Sequence, residues 1–581
     1  MNELGFLYMK FMLLAMMKGM GTFCLVFVME SCTRQISSGK SPCRDCAMSE
    51  NLQTPYLSNI SACIEVLQRS LGQERVITSH IPQPYELGFS SITPGAMVFA
   101  ESASDVSLVL NTALSCNVTV AVRSSVGHSY IGQSTMDGSG IVLNLAHMKN
   151  FRVQSIPGHD GSFQATLGPG LNNIQVYSFL AMNDPPLGIA SGTCPSVGIS
   201  GLISGGGEGM TSTFGGVTSD SVISAKAVVF INGTFQETNA PDDLLFALRG
   251  GMGGNYGVVT EWTVEVFLGT KVVVYSMKTR ILDLIADKSA ITRAIKAHAD
   301  WLRKPMIGPS SPLGEAQGTV WGMSKFKSGF DMQFEGQCRC PENDDSCANC
   351  VQAINYLQIQ IGGCEGSSIF DHCDAEIQDH IQAMWSWAGC TDFGGIDAYP
   401  GIGPSTPQTV VSDAITKCLD YDWSATRKYG KNKSLYLPVN IDGNFEEIVM
   451  SLVSDPRCND GNSFCFIQKS FVGGKMAQEH SNSAFVHRTP GWHLQMIIQW
   501  TNNATDSGQY FEWAKVARQR MLPLSINEGY QNYPDSDLPL EVWSLEYFPK
   551  AGVFEKLKLI RDKYNPTKVL NVPWAVPLMI P

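Results

Sequence analysis

A chain of 581 residues that is 44% hydrophobic and 16% charged can bury a large core, and its length allows two or more domains. A net charge of −12 with no block of lysine and arginine excludes a nucleic-acid partner, which needs a basic surface. Seventeen cysteines, with N-x-S/T sequons at Asn59, Asn117, Asn232, Asn432 and Asn503, point to an oxidising, secretory compartment.

The first thirty residues are apolar but interrupted by Lys10 and Lys18. A start at Met17 gives a short basic region followed by the apolar run GMGTFCLVFVM, so 1–30 reads as a signal peptide for secretion. Lys18 breaks any span of about 20 apolar residues, which disfavours a retained membrane anchor, and no later stretch reads as transmembrane. Residues 31–75, polar and carrying Cys43, Cys46 and Cys63, read as a leader region.

From about residue 94 the pattern becomes regular. GAMVFA predicts a strand, and Ser102 with Asp105 has capping-box spacing ahead of helical apolar positions Val106, Val109, Leu110, Ala113 and Leu114. NVTVAVR alternates as a strand ending at Arg123, and the glycine-bearing loop SSVGHSYIGQS follows it. GIVLNLAHM and FQATLGPG predict strands, and NNIQVYSFLAMN predicts a helix. A glycine-rich run occupies 188–209, then SAKAVVF (strand), DDLLFAL (helix), RGGMGGNYG (loop) and the alternating strand VVTEWTVEVF. Beyond about 268, VVVYSM, YLQIQIGG, FCFIQKSFVGG and WHLQMIIQW predict strands. ITRAIKAHADWLRK, CDAEIQDHIQAMWSWAG and VFEKLKLIRDKY predict helices.

The chain lacks H-E-x-x-H, G-x-S-x-G and the P-loop pattern, so zincin, α/β-hydrolase and P-loop chemistries have no support. Cys338, Cys340, Cys347 and Cys350 cluster with spacing that could hold zinc, but in a secreted chain disulfides are the favoured reading, as they are for Cys458 and Cys465. Two side chains stand out: His128 and Cys194, each in a glycine-bearing loop after a regular element.

The segments VRSSVGHSYIGQS, GTCPSVGISGLISGGGEGMTSTFGGVTSD and DDLLFALRGGMGGNYGVVTEW together resemble the FAD-binding domain of the berberine bridge enzyme-like oxidases, in the vanillyl-alcohol oxidase (PCMH-type) fold group. SAFVHRTPGWHLQ, EGYQNYPD and EYFPKAGVFEKLKLIRDKYNPTKVLN continue the resemblance to the C-terminus. It implies an α+β chain. A PCMH-type domain of two α/β subdomains would span 76–267, and an α+β substrate-binding domain with an antiparallel sheet covered by helices would span 268–530. Residues 531–581 would return to the first domain. It also implies FAD held by two covalent bonds, His128 to the 8α-methyl carbon and Cys194 to C6. Gly127, Ser129, Gly132, Gly192, Gly198, Gly201, Gly205, Gly206, Gly207, Gly209, Asp220, Gly257 and Val259 are the implied further cofactor contacts. A glycine-rich loop can offer N–H groups to a pyrophosphate. The chain departs from the family pattern in an extra residue between Arg123 and His128, in Thr213 where a basic residue is common, and in Pro549 after Tyr547-Phe548.

The resemblance places the catalytic base at Tyr533 of QNYPD, a glutamine at Gln495 in the substrate site, and an oxygen gate at Val197. A phenol titrates near 10, so a basic Tyr533 needs a cation or strong hydrogen bonds to lower it. In WHLQMIIQW, Trp492, Leu494, Met496, Ile498 and Trp500 form the core face, and His493, Gln495, Ile497 and Gln499 the face toward a cavity. The implied activity is oxidation of an alcohol or hemiacetal (carbohydrate, phenolic or alkaloid-like), with O2 reduced to hydrogen peroxide. A dehydrogenase using another acceptor and a non-catalytic binding protein on the same fold are the alternatives.

Overall fold

The computed structural model describes residues 53–156, 161–281, 287–303, 317–326, 329–362, 370, 372–391, 399–441, 444–501, 507–572 and 574–579. The expected signal peptide, Cys43, Cys46 and the Asn503 sequon lie outside them.

Three sheets organise the chain. The first has strands β1 (Val76–Ile77), β2 (Ala96–Phe99), β3 (Val120–Arg123) and β4 (Ile141–Asn144) in the order β1-β2-β4-β3, with β2-β4-β3 parallel. Parallel strands need both faces covered, which explains their near-continuous apolar sequence. The helices Gln53–Leu71 and Ala103–Cys116 cover them, with Cys63, Leu67, Val106, Val109 and Leu110 in one core with Val98, Val120 and Leu143. The predicted capping box forms: Ser102 accepts the Asp105 N–H and Asp105 accepts the Ser102 N–H. The C-terminal segment joins this sheet, since Val569 accepts the Val120 N–H at 2.7 Å.

The second sheet takes β5 (Phe151–Ser155), β6 (Phe163–Leu167), β7 (Leu187–Gly188), β8 (Val222–Ile231), β9 (Thr234–Asn239) and β10 (Val258–Leu268), ordered β5-β6-β10-β8-β9 with β7 beside β10. Every pairing is antiparallel. The third sheet contains β11 (Lys271–Ile281), β12 (Gln317–Phe326), β13 (Gly329–Arg339), β14 (His372–Asp379), β15 (Tyr429–Pro438), β16 (Ser463–Val472) and β17 (Gly491–Trp500). Their order is β14-β11-β13-β12-β16-β17-β15, again antiparallel throughout. The architecture is α+β. On β17, Trp492, Leu494, Met496, Ile498 and Trp500 enter the core beneath the helices, as the alternation predicts.

Two element predictions are corrected. YLQIQ lies in the helix Ala348–Gln360, because Cys350, Ala353, Ile354 and Leu357 recur at helical spacing and are buried together. CDAEIQD forms strand β14, paired with β11 from Lys271↔Asp379 to Lys278↔His372, and only His380–Trp387 is helical. Sheet pairing at an open edge overrides the local helical pattern.

The cysteine cluster forms two disulfides, Cys338–Cys350 and Cys340–Cys347, and Cys390–Cys418 and Cys458–Cys465 are also paired. No group of metal-ligating side chains occurs among the described residues. No described helix is long and apolar enough to cross a membrane. Asn117 and Asn232 are exposed, whereas Asn432 is buried inside β15 with both amide atoms unpartnered and cannot carry a glycan.

Three histidines are buried uncharged. Burial, with Lys469 nearby, holds His298 well below its ordinary value. Burial and then Arg339 lower His380 to about 4, and burial and then Arg427 lower His128 to about 3. An unfolded histidine takes a proton near about 6.5 and these do not, so their contribution to stability is present above that pH and is lost as pH falls toward about 4. Each group costs about 1.4 kcal/mol per pH unit across that window. Guanidinium unfolding midpoints should drop over this range, and His380→Gln should flatten the drop by about one proton's slope. An unchanged slope would contradict the burial of a neutral His380.

Candidate active site

Loops 124–134, 189–198 and 249–257 meet the returning segment 530–534 around one cavity of roughly 1620 Å³ including its mouth. Gly127, His128, Ser129, Gly192, Cys194, Val197, Gly198, Gly201, Gly257, Val259 and Tyr533 all line it. Its walls are fixed by local bonds: Asn173 Nδ2 donates to Cys194 O at 2.9 Å and Tyr177 to Gly192 O at 2.9 Å. Arg123 is a framework residue, donating to Ser134 O and Pro82 O.

Other expected contacts are placed elsewhere. Gly132 packs under the Phe89 ring. Asp220 takes both Arg488 guanidinium nitrogens, at 2.8 and 2.7 Å, so its carboxylate is spent in a buried ion pair. The N–H groups of Gly205–Gly209 are also spent: on Leu202 O and Ile203 O, on the Tyr530 hydroxyl from Gly207 and Glu208, and on Ser212 Oγ from Gly209. This run serves close packing rather than phosphate binding. Gly207 has φ +92°, and a Cβ at Gly209 would overlap Ser191 O. The N–H groups of Ser125, Gly127 and His128, on residues with a wall in the cavity, donate to no described residue and can take anionic oxygens instead.

His128 is held from two sides. Its Nε2 lies 2.7 Å from Ser196 Oγ, and Ser196 donates to Asp422. Its ring stacks on Tyr85 with centroids 3.7 Å apart. Its Nδ1 is buried with no hydrogen-bond partner, and the nearest carboxylate oxygen, Glu86 Oε1, is 3.7 Å away. That separation is too long for a hydrogen bond. Burial raises Glu86 well above the carboxylate range and raises Asp422 against three donated hydrogen bonds. Cys194 is disulfide-bonded.

A second cluster sits beside Tyr533. Tyr130, Tyr530 and His493 surround its ring at centroid distances of 5.2, 5.1 and 5.2 Å. Among the described residues no cation lowers this phenol: burial and then Glu208 push Tyr533 upward, the reverse of what a phenolate base requires. Glu208 lines the cavity, accepts a hydrogen bond from Tyr436, and stands 2.7 Å from His493 Nδ1. His493 is 4% exposed, with Nε2 2.8 Å from Ser434 Oγ. Gln495 is buried behind this cluster and donates to the Tyr130 hydroxyl at 3.3 Å.

Sequence reasoning missed Glu208, Ser196, Asp422, Tyr85 and Glu86. Glu208 carried a signal, as the one acidic residue inside GGGEG. Ser196 lies within the quoted GTCPSVG motif. Asp422 had none, because it reaches the site from a turn of π-helix, Asp422–Thr426, in the other half of the chain.

The unpartnered Nδ1 and the N–H groups of Ser125, Gly127 and His128 together fit FAD. Residues 94–239 match the FAD binding domain family. Reticuline oxidase of Papaver somniferum is 24% identical over 518 residues, covering 84% of this chain and 84% of its own. Glucooligosaccharide oxidase of Sarocladium strictum is 23% identical over 493 residues, covering 82% and 86%. Among solved structures, berberine bridge enzyme from Eschscholzia californica superposes with a TM-score of 0.69 at 20% identity, over 89% of this chain and 99% of that one. That likeness carries the fold. With the FAD-domain match and the curated relatives, the chain is similar over most of its length to the berberine bridge enzyme-like FAD-linked oxidoreductases.

Proposed function

We propose that this protein is a secreted oxidase that converts a CH–OH group, an alcohol or a hemiacetal, to the carbonyl or lactone, with the electrons delivered to O2. The observation that carries the reading is His128 Nδ1, buried and unpartnered on the wall of the cavity that the glycine-bearing loops enclose. FAD, when bound, supplies a hydride acceptor at N5 and returns two electrons to O2 as hydrogen peroxide.

His128 is the first tether, bonded through Nδ1 to the 8α-methyl carbon. Burial keeps its imidazole neutral, down to about 3, so the lone pair is available across the ordinary pH range. Cys194 is the second tether, toward C6, and can serve only as a free thiol, since a disulfide and a thioether are exclusive fates of one sulfur. Val197, on the cavity wall three residues on, controls access of O2. The disulfides among the described residues support secretion into an oxidising compartment.

The substrate hydroxyl must lose a proton as the hydride leaves carbon. Glu208 is the residue placed to take it: a carboxylate on the cavity wall, oriented by the Tyr436 hydroxyl and by His493. Tyr533 keeps its proton and positions the substrate oxygen by a hydrogen bond, while Tyr130, held by Gln495, and Tyr530 offer ring faces to a sugar or aromatic group. Gln495 thus acts by holding Tyr130 rather than by proton transfer.

Under nitrogen, an oxidisable CH–OH compound should bleach the bound flavin, and admitted air should restore the colour with release of peroxide. Recovery no faster in air than under nitrogen would make the protein a dehydrogenase. Glu208→Gln should slow the bleaching step roughly 10²–10⁴-fold, the usual worth of a general base, with flavin content retained. Tyr533→Phe should slow it only about tenfold, the loss of one hydrogen bond of about 1.4 kcal/mol. The reverse ranking in anaerobic stopped-flow traces would return the base to Tyr533.

A further inference from the structure

Behind His128 lies a set of side chains that neither the substrate site nor the cofactor cavity uses. Asp422 is 3% exposed, does not line the cavity, and belongs to a single π-turn at the end of the helix Gln408–Tyr421. Such irregular turns recur at functional sites. Three hydroxyls donate to its carboxylate: Ser196, Thr426 at 2.9 Å and Tyr85 at 3.0 Å. We propose that Asp422 and Ser196 form a proton relay that fixes the tautomer of His128 and takes up its proton as the histidine bonds to the flavin. This inference rests on the tether assigned to His128 above.

A serine hydroxyl has one hydrogen. Ser196 gives it to Asp422, so toward His128 it can only accept, and Nε2 must carry the ring N–H. Nδ1 is left as the lone pair. The geometry agrees, because Nδ1 has no acceptor in reach; Glu86 Oε1 at 3.7 Å is the nearest carboxylate oxygen. Tyr85, stacked at 3.7 Å, prevents the ring from turning to exchange its nitrogens. The charged and titratable groups facing this assembly are Glu86, Tyr85 and Arg427, which donates to Tyr85 O and Pro84 O.

In the attachment one 8α-methyl C–H bond and the imidazole N–H bond break and one C–N bond forms. The two electrons and two protons set free reduce dioxygen, the oxidant, to hydrogen peroxide, which balances the step. Bond formation at Nδ1 places positive charge on the ring, and the Nε2 proton then passes to Ser196 while the Ser196 proton passes to Asp422. Asp422 is a positioning residue, since it touches neither flavin nor substrate.

The test uses the full-length chain in a Cys194→Ala background, prepared without flavin and mixed aerobically with FAD. Reversible binding and acid-stable attachment are followed in the same samples. Asp422→Asn and Ser196→Ala should bind FAD like the parent but attach it roughly tenfold or more slowly, since the lost hydrogen bond is to a charged group. Ser196→Thr, which keeps the hydroxyl, should restore the rate. Attachment in the parent should slow at low pH as Asp422 protonates, a limb that Asp422→Asn lacks and Glu86→Gln retains. Attachment at the parent rate in either slow variant overturns the relay, and so does loss of reversible FAD binding in both, which would mark the pair as a framework contact. If His128→Ala attaches as much flavin as the parent, the tether assignment fails instead.

Discussion

The fold of the site depends on one close packing: the segment 528–535 lies against the bare backbone of Gly205–Gly209. Asn532 occupies the space a Cβ at Gly205 would fill, and its amide donates to Leu202 O. The Tyr530 hydroxyl takes the N–H groups of Gly207 and Glu208. Side chains at Gly205, Gly206 or Gly207 would collide with Asn532, Phe485 or Thr218. Because this contact closes, a residue near the C-terminus, Tyr533, and a residue of the glycine loop, Glu208, arrive at the same cavity wall.

Electrostatics inside that wall is arranged by pairing rather than by exposure. Arg488 and Asp220 neutralise one another where the second and third sheets' loops meet. Lys431 and Lys433 on β15 do the same with Asp535 and Asp537. Pairing of this kind is what allows buried charge to persist. The groups left without an opposite charge, His128 and Tyr533, are therefore held neutral, one as a lone-pair donor and the other as a hydrogen-bond donor. The neutral His128 imidazole and the hydrogen-bonded Glu208 carboxylate both line the one cavity.

Much of this was legible in the chain itself. The helix Ala103–Cys116 with its capping box, the strands β2, β3, β4, β6, β8 and β10 and the alternation of β17 follow from local pattern. His128, Cys194 and Tyr533 were legible as motif residues, and all three line one cavity. What local pattern misassigned depended on partners distant in sequence. CDAEIQD is a strand only because β11 presents an open edge. Asp220 looked like a loop carboxylate for a ligand because nothing local reveals Arg488. His493 read only as one residue of a cavity-facing strand side, because strand alternation does not reveal that Glu208 lies opposite. Asp422 was invisible because its role needs Ser196, which is far away in the sequence.

The central claim is that His128 presents a free Nδ1 lone pair to a flavin held in this cavity. Its most direct test is the mass of the acid-stable proteolytic peptide spanning His128, from protein produced aerobically with ample flavin. The structure predicts that this peptide carries a flavin mass and that fragmentation assigns it to His128. An unmodified His128 in flavin-loaded protein would contradict the account.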